Sequence, residues 1–196
     1  MGYDKKNEET NNKIIKAFLD TLAEKSFEEI SVRDISTKAG VNRGTFYRHF
    51  LDKYDLLDKI EDRFLQVLEQ IPRGFINRNI PDSQMKANLR DYLRSLFVIV
   101  KDNSEMLARL FSDNGDQRFK TKFKDHLAER IRTGLNHTVN AENTLNLDLA
   151  IEFISAADTA TVEYIIDHPE LDSDEIFNTF FTLLVNGPLS TLSEYW

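Results

Sequence analysis

Residues 31–53 read SVRDISTKAGVNRGTFYRHFLDK, and their spacing decides the fold. Ser31 stands three residues before Asp34, the pattern in which an N-cap hydroxyl and a reciprocal acid satisfy the free amides of a helix start. The helix they open is short and ends at Gly40, a residue suited to the left-handed conformation of a sharp turn. Asn42 caps a second short helix that is basic and aromatic, Arg43-Gly44-Thr45-Phe46-Tyr47-Arg48-His49. Phe46 and Phe50 lie four apart and share a face, which packs with Ile35, Ala39 and Val41 to fix the angle between the two helices. This is the spacing of a helix-turn-helix.

The remaining face of the second helix suits nucleic acid. Arg43 has a planar fork that can donate two bonds to guanine, which makes it the expected base reader. Gly44 lets the backbone approach a groove, Thr45 and Tyr47 offer hydroxyls to phosphate, and His49 can donate a ring N–H without carrying charge. Lys53 follows the expected cap Asp52, near the positive end of a fourth helix, where the ammonium and free amides suit a phosphate; Arg33 is placed likewise on the second helix.

Charge is distributed to match. The chain of 196 residues has 25 Lys plus Arg against 33 Asp plus Glu, a net charge of -8 that by itself argues against a polyanion partner. Residues 1–55 are balanced, ten basic against ten acidic, so the whole acidic excess lies in residues 56–196. Within residues 31–54 five basic side chains meet only Asp34 and Asp52, a net +3. The acidic body carries a small basic head.

Composition excludes other classes. With no cysteine there is no disulfide scaffold, thiolate zinc site, thiol sensor or cysteine nucleophile, and the reducing cytosol is the expected compartment. The longest apolar run, Leu96 to Val100, is far short of the roughly 18 residues that suggest a membrane span, and the polar N-terminus does not read as a signal peptide. His126, His137 and His168 have no histidine four residues away, so no metal or cofactor is expected. No nucleophile elbow, phosphate loop, dinucleotide fingerprint or zinc-protease motif occurs, which argues against an enzyme.

Seven glycines and four prolines leave long stretches in which apolar residues recur at three and four, so the chain is expected to be all-α with about nine helices. The first runs from about Asn11 to Lys25, and the fourth, with Leu57, Ile60, Phe64, Leu68 and Ile71 on one face, stops at Pro72. After a loop over residues 72–81 come helices at about 82–101, 103–112, 117–137, 145–167 and 173–192. The eighth is apolar on nearly all sides and the ninth, capped by Asp172, carries Phe177, Phe180, Phe181, Leu184 and Val185. Such helices want cover, and the expectation is a homodimer formed through these two. The chain divides into a helix-turn-helix head, residues 1–55, and a larger helical body for dimerisation and effector binding, residues 56–196.

Ile35, Ala39-Gly40-Val41, Gly44-Thr45-Phe46-Tyr47, His49-Phe50, Lys53 and Leu56-Leu57 together resemble the DNA-binding head of the TetR family of bacterial regulators. The resemblance implies a three-helix head, a fourth helix joining it to the body, dimerisation through the last two helices and a small-molecule pocket in the body. It implies DNA contacts at Arg33, Arg43, Gly44, Thr45, Tyr47, His49 and Lys53, with Phe46 and Phe50 in the core. Ser36 departs from the alanine common in the family. The phenylalanine-rich end is similar to the branch that regulates dihydroxyacetone kinase.

The expected function is therefore a transcription regulator, a repressor bound as a dimer to a palindromic operator and released by a small molecule. Tyr92, Phe97, Phe111, Phe153, Asp158 and Tyr164 are the candidate ligand contacts, from middle helices where the family's pocket lies. Asp158, Thr159, Thr161 and Glu163 interrupt an apolar helix; bonding across the dimer is the first reading of these four, and orienting a ligand or lying on a wet edge are the others. The rival readings are a regulator or activator controlled by a protein partner, and a helical enzyme or carrier whose basic head is incidental.

Overall fold

A computed structural model describes residues 2–72, 82–135 and 144–187. Among these residues there are nine α-helices, one 3-10 turn and no strand. The helices are α1 (Gly2–Leu22), α2 (Val32–Ala39), α3 (Arg43–His49), α4 (Lys53–Leu68), α5 (Asp82–Asp102), α6 (Ser104–Leu110), α7 (Gln117–Leu135), α8 (Thr144–Asp167) and α9 (Ser173–Asn186). They form two compact units. The first takes the described residues up to Gln66 together with Ala108–Phe119, and the second takes those from Val67 to Leu107 and from Lys120 onward.

In the first unit the local signals operate as their chemistry requires. Ser31 accepts the Asp34 amide at 3.2 Å while the Asp34 carboxylate accepts the Ser31 amide at 2.9 Å, a closed capping box. The Ser31 hydroxyl also donates to Asp34 Oδ2 at 2.6 Å, and this bond first and the Ser31 amide second, with Lys25 beside them, hold the Asp34 carboxyl down at about 2. Gly40 ends α2 at φ 66°, in the left-handed region, and donates its amide to Thr37 O at 3.2 Å. The Asn42 side chain then accepts the Thr45 amide at 2.7 Å to start α3. α1 packs on α2 and α2 on α3, and Ile14, Phe18, Leu22, Phe27, Ile35, Phe46, Phe50, Leu57 and Phe64 form the buried core. A 3-10 turn at Phe27–Glu29 leads into α2, and its Phe27 amide donates to Asn114 O at 2.8 Å.

α1 starts at Gly2, well before the expected Asn11. Residues 5–9 have no apolar stripe and are exposed, but a helix already nucleated by packed residues extends at little free-energy cost. Ser36 is buried and its hydroxyl has no hydrogen-bond partner. Removing an unsatisfied buried polar group relieves its desolvation penalty, so Ser36→Ala is expected to raise stability by about 1 kcal/mol, read from urea unfolding midpoints. A lower midpoint would show that the hydroxyl supports the fold.

The second unit holds the end of α4, most of α6 and α7, and all of α5, α8 and α9. After Leu68 the chain tightens through Gln70 N to Val67 O and Ile71 N to Leu68 O, and Pro72 follows. Arg130 of α7, itself buried, donates to Ile71 O at 2.9 Å and lies 3.1 Å from Glu69, supplying a cation where the helix dipole is negative. His126 Nε2 lies 3.0 Å from the same Glu69 carboxylate. α5 meets α9 through Phe97 against Phe177 and Phe180, with the Arg90 and Arg94 guanidinium groups over Phe177. α7 meets α8 through Ala128, Ile131 and Ile151, flanked by Lys120–Glu163 and Lys124–Glu152 ion pairs.

α8 is apolar on several faces, and among the described residues one face is buried. Ile151, Ser155, Asp158, Val162 and Ile165 are buried, while Leu145, Leu149, Phe153 and Tyr164 are exposed, because neighbouring helices lie on one side only. α9 is capped by Asp172, which accepts the Asp174 and Glu175 amides, and closes at Gly187. The expected continuation of α9 to Leu192, the expected end of α7 at His137 with that histidine itself, and loop residues 73–81 lie outside the described residues.

Candidate functional site

The helix-turn-helix presents α3 with one face in the core and one in solvent. Phe46 is fully buried against Phe50, ring centroids 5.7 Å apart, which fixes the rotation of α3 about its axis. Arg43, Gly44, Tyr47 and Arg48 are consequently exposed and Thr45 and His49 are half-buried. A side chain added at Gly44 would lie 3.3 Å from the Asn42 oxygen that caps the helix, so glycine here also protects the cap. Tyr47 is 55% exposed with its ring edge-on to Phe46, which leaves the phenol pointing away from a rigid base. Burial first and the neighbouring Arg48 second push the His49 ring below its usual range, so near pH 7 it is a neutral donor.

Arg33 is exposed in the first turn of α2, just after the Ser31 cap. Lys53 stands at the first residue of α4, but its surroundings differ from the open phosphate site that the spacing suggests. Its ammonium donates to Phe27 O at 2.8 Å and Glu28 O at 2.9 Å, and lies over the Phe27 and Tyr54 rings at 4.7 and 5.3 Å. The Tyr54 and Asp55 amides are taken by Asp52 Oδ1 at 2.8 and 2.9 Å. Lys53 thus joins the 3-10 turn to α4, and of its three donors two are engaged in the free chain.

Arg48 is the side chain that sequence reading left out of the contact set. It donates from Nη2 to Thr45 Oγ1 at 3.0 Å and shares the exposed face with Gly44, four residues before. That spacing was the available signal. With Arg33, Arg43 and Arg48 exposed and no acid in the α3 helix itself, the surface is cationic where an outward helix face is free. Such a face can bond base edges and phosphates.

The six ligand candidates do not form one group. Phe111 lies in the first unit, edge-on to Phe119. In the second unit Tyr92, Phe97 and Asp158 are buried, and Phe97 is engaged with the α9 phenylalanines. Phe153 is 60% exposed on the outer face of α8. Tyr164, stacked on His168 at 4.2 Å, instead lines a groove of about 410 Å³ between α8 and α9, with Ala160, Thr161, Ile176, Phe180 and Leu183. Asp158 lies on the inward face of α8, away from the exposed stripe on which bonding across a dimer would require it.

No described helix is long and apolar enough to cross a membrane, and the described residues hold no cluster of three metal-ligating side chains. Residues 14–60 match the bacterial regulatory proteins of the tetR family, and residues 87–187 match the transcriptional regulator C-terminal region. The chain is 39% identical over 105 residues to the uncharacterized HTH-type transcriptional regulator YxbF of Bacillus subtilis, covering 53% of this chain and 26% of that protein. It therefore spans about a quarter of that relative's length. It is 24% identical over 152 residues to the regulator YvdT of the same species, covering 69% of this chain and 76% of that one. In structure it is similar to a TetR transcriptional regulator from Streptococcus agalactiae, with TM-score 0.64, 21% identity, and coverage of 94% of this chain and 98% of that one. It also shares its fold with the dihydroxyacetone kinase operon activator DhaS, with TM-score 0.59, 20% identity, and coverage of 90% and 94%. With a buried-face helix-turn-helix at one end, an all-α body at the other and a matching family region over each, the chain belongs to the TetR family of bacterial regulators, which are DNA-binding transcription factors and not enzymes.

Proposed function

We propose that this protein is a cytoplasmic repressor that binds a palindromic operator as a homodimer and is released by a small molecule held in its helical body. The observation that carries the DNA reading is the outward face of α3, where Arg43, Gly44, Tyr47 and Arg48 are exposed on a helix whose other face is locked by Phe46. Arg43 reads a base, Thr45, Tyr47, Arg48 and His49 contact the backbone, and Arg33 and Lys53 meet phosphates at the starts of α2 and α4. Residues 1–55 serve as the DNA-binding part and residues 56–196 as the effector and dimerisation part.

The dimer reading is supported by α8. Leu145, Leu149, Phe153 and Tyr164 form an exposed apolar stripe, with Leu149 67% exposed, of a kind that soluble monomers seldom present as one patch. A second copy through α8 and α9 covers it and gives the two recognition helices the two-fold symmetry of a palindrome. Of the six expected ligand contacts, the effector reading keeps Tyr92, Phe97 and Asp158, which are buried in the second unit. Its ligand shifts α4 and separates the heads from a half-site spacing of about 34–36 Å.

The test is selection of sheared genomic DNA from the source organism on the purified protein at about 0.15 M salt, followed by sequencing. One sharply enriched site of two inverted half-sites is the expected result. No enrichment at any salt would overturn the reading, and enrichment of an asymmetric site would remove the dimer from it.

A further inference from the structure

Asp158 is only 2% exposed, near the middle of α8, and its Oδ1 is enclosed without a hydrogen-bond partner. Its companions on the inward stripe are Ile151, Ser155, Val162 and Ile165, so the carboxylate lies in an apolar row. The hydroxyls nearest along the helix do not solvate it. Ser155 donates its proton to Glu152 O at 3.2 Å, Thr159 donates to Ser155 O at 2.8 Å and Thr161 donates to Ala157 O at 2.8 Å. Each hydroxyl has a single proton, so what remains toward Asp158 from these side chains is lone pairs.

Burial alone, with no cation contributing, pushes the Asp158 carboxyl up to about 7. The contrast with Arg130 is instructive. That equally buried charge has the Ile71 carbonyl and the Glu69 carboxylate beside it, whereas among the described residues no cation and no hydrogen-bond donor meets Asp158 Oδ1. A buried acid left unpaired is among the least favourable arrangements a folded chain can keep, and its complement is then sought outside the chain.

We propose that Asp158 anchors the effector of the helical body, and that this effector is a small amphipathic amine whose ammonium group donates to the Asp158 carboxylate. The inference rests on the reading that the body takes a small ligand. The chemistry selects the class. A buried carboxylate whose Oδ1 has no donor repels a carboxylate, sulfonate or phosphate head, and an alcohol brings one donor, whereas an ammonium brings charge and three N–H donors. Val162 and Ile165, the next residues of the same buried row, suit an apolar remainder. The groove between α8 and α9 is a different place, since the Asp158 side chain is not part of its lining.

The test is calorimetric titration of the purified full chain at pH 7 with hexylamine, 1-hexanol and hexanoate, in buffers of different ionisation enthalpy. Hexylamine is expected to bind about tenfold or more tighter than hexanol, hexanoate not at all, and amine binding to release a fraction of a proton as the carboxyl ionises. Asp158→Asn is expected to fold with an unchanged or higher thermal midpoint, to bind amine and alcohol alike and to release no proton. Absence of amine binding, equal affinity for amine and alcohol in the parent chain, or an amine preference that survives in Asp158→Asn would each overturn the proposal. Operator selection on the same preparation without amine keeps the two readings apart. An operator found without amine preference removes only the anchor, and amine binding without an operator removes only the regulator.

Discussion

Replacing Phe46 with alanine is expected to destabilise the helix-turn-helix by about 3–5 kcal/mol, the range for deleting a large aromatic side chain from a packed core. Phe46 is fully buried, and its ring meets Tyr47 edge-on at 5.6 Å and Phe50 at 5.7 Å. α3 has only seven residues, too short to persist without tertiary support, so the cavity loosens the recognition helix before anything else. Urea unfolding should show an earlier transition, and operator binding should fall even where the variant is still mostly folded. Phe46→Leu keeps much of the volume and is expected to lose far less. An unchanged midpoint for Phe46→Ala would mean that α3 is held by its caps and not by this ring, and the account of how its outward face is oriented would have to be abandoned.

Why α2 and α3 were legible in the sequence while other features were not follows from the range of the forces involved. The Ser31–Asp34 box, the Gly40 turn and the Asn42 cap act across two to four residues, so their residue types and spacing report them directly. The partners of Lys53 do not. Its bonds to Phe27 O and Glu28 O join positions 26 and 25 residues apart, and nothing in the residues around Asp52 announces them. α1 shows a second limit. Residues 5–9 have no buried face, so a reading based on apolar periodicity stops short of a helix that continues from a packed neighbour. α8 shows a third. Its composition says that several faces are apolar but not which is covered, although Ile151, Ser155, Asp158, Val162 and Ile165 recur at alternating four and three and so mark the buried row. Asp158 falls in that row, and a count of polar interruptions without their phase places it at an interface instead.

Arg43→Ala is the second change with a large expected effect, and its value lies in the pattern of loss. If Arg43 donates two bonds to one guanine, truncation should remove about 1–3 kcal/mol of discrimination at a single position of each half-site, about 5- to 150-fold, and leave the other positions as selective as before. Its charge is exposed, so the fold should be indifferent to the change. Lys53→Ala should behave otherwise. It removes one cation from the phosphate count, weakening all sequences alike and flattening the dependence of log K on log salt by about 0.9. Because the same ammonium holds the Phe27 and Glu28 carbonyls, it should also lower the thermal midpoint, which Arg43→Ala should not. Binding of both variants to a full set of single-base operator changes, at two salt concentrations, separates the roles. Uniform weakening by Arg43→Ala would make it a backbone contact and move base reading to Tyr47 or Arg48. An unaltered salt slope for Lys53→Ala, with the lower midpoint, would make Lys53 a purely structural link between the 3-10 turn and α4.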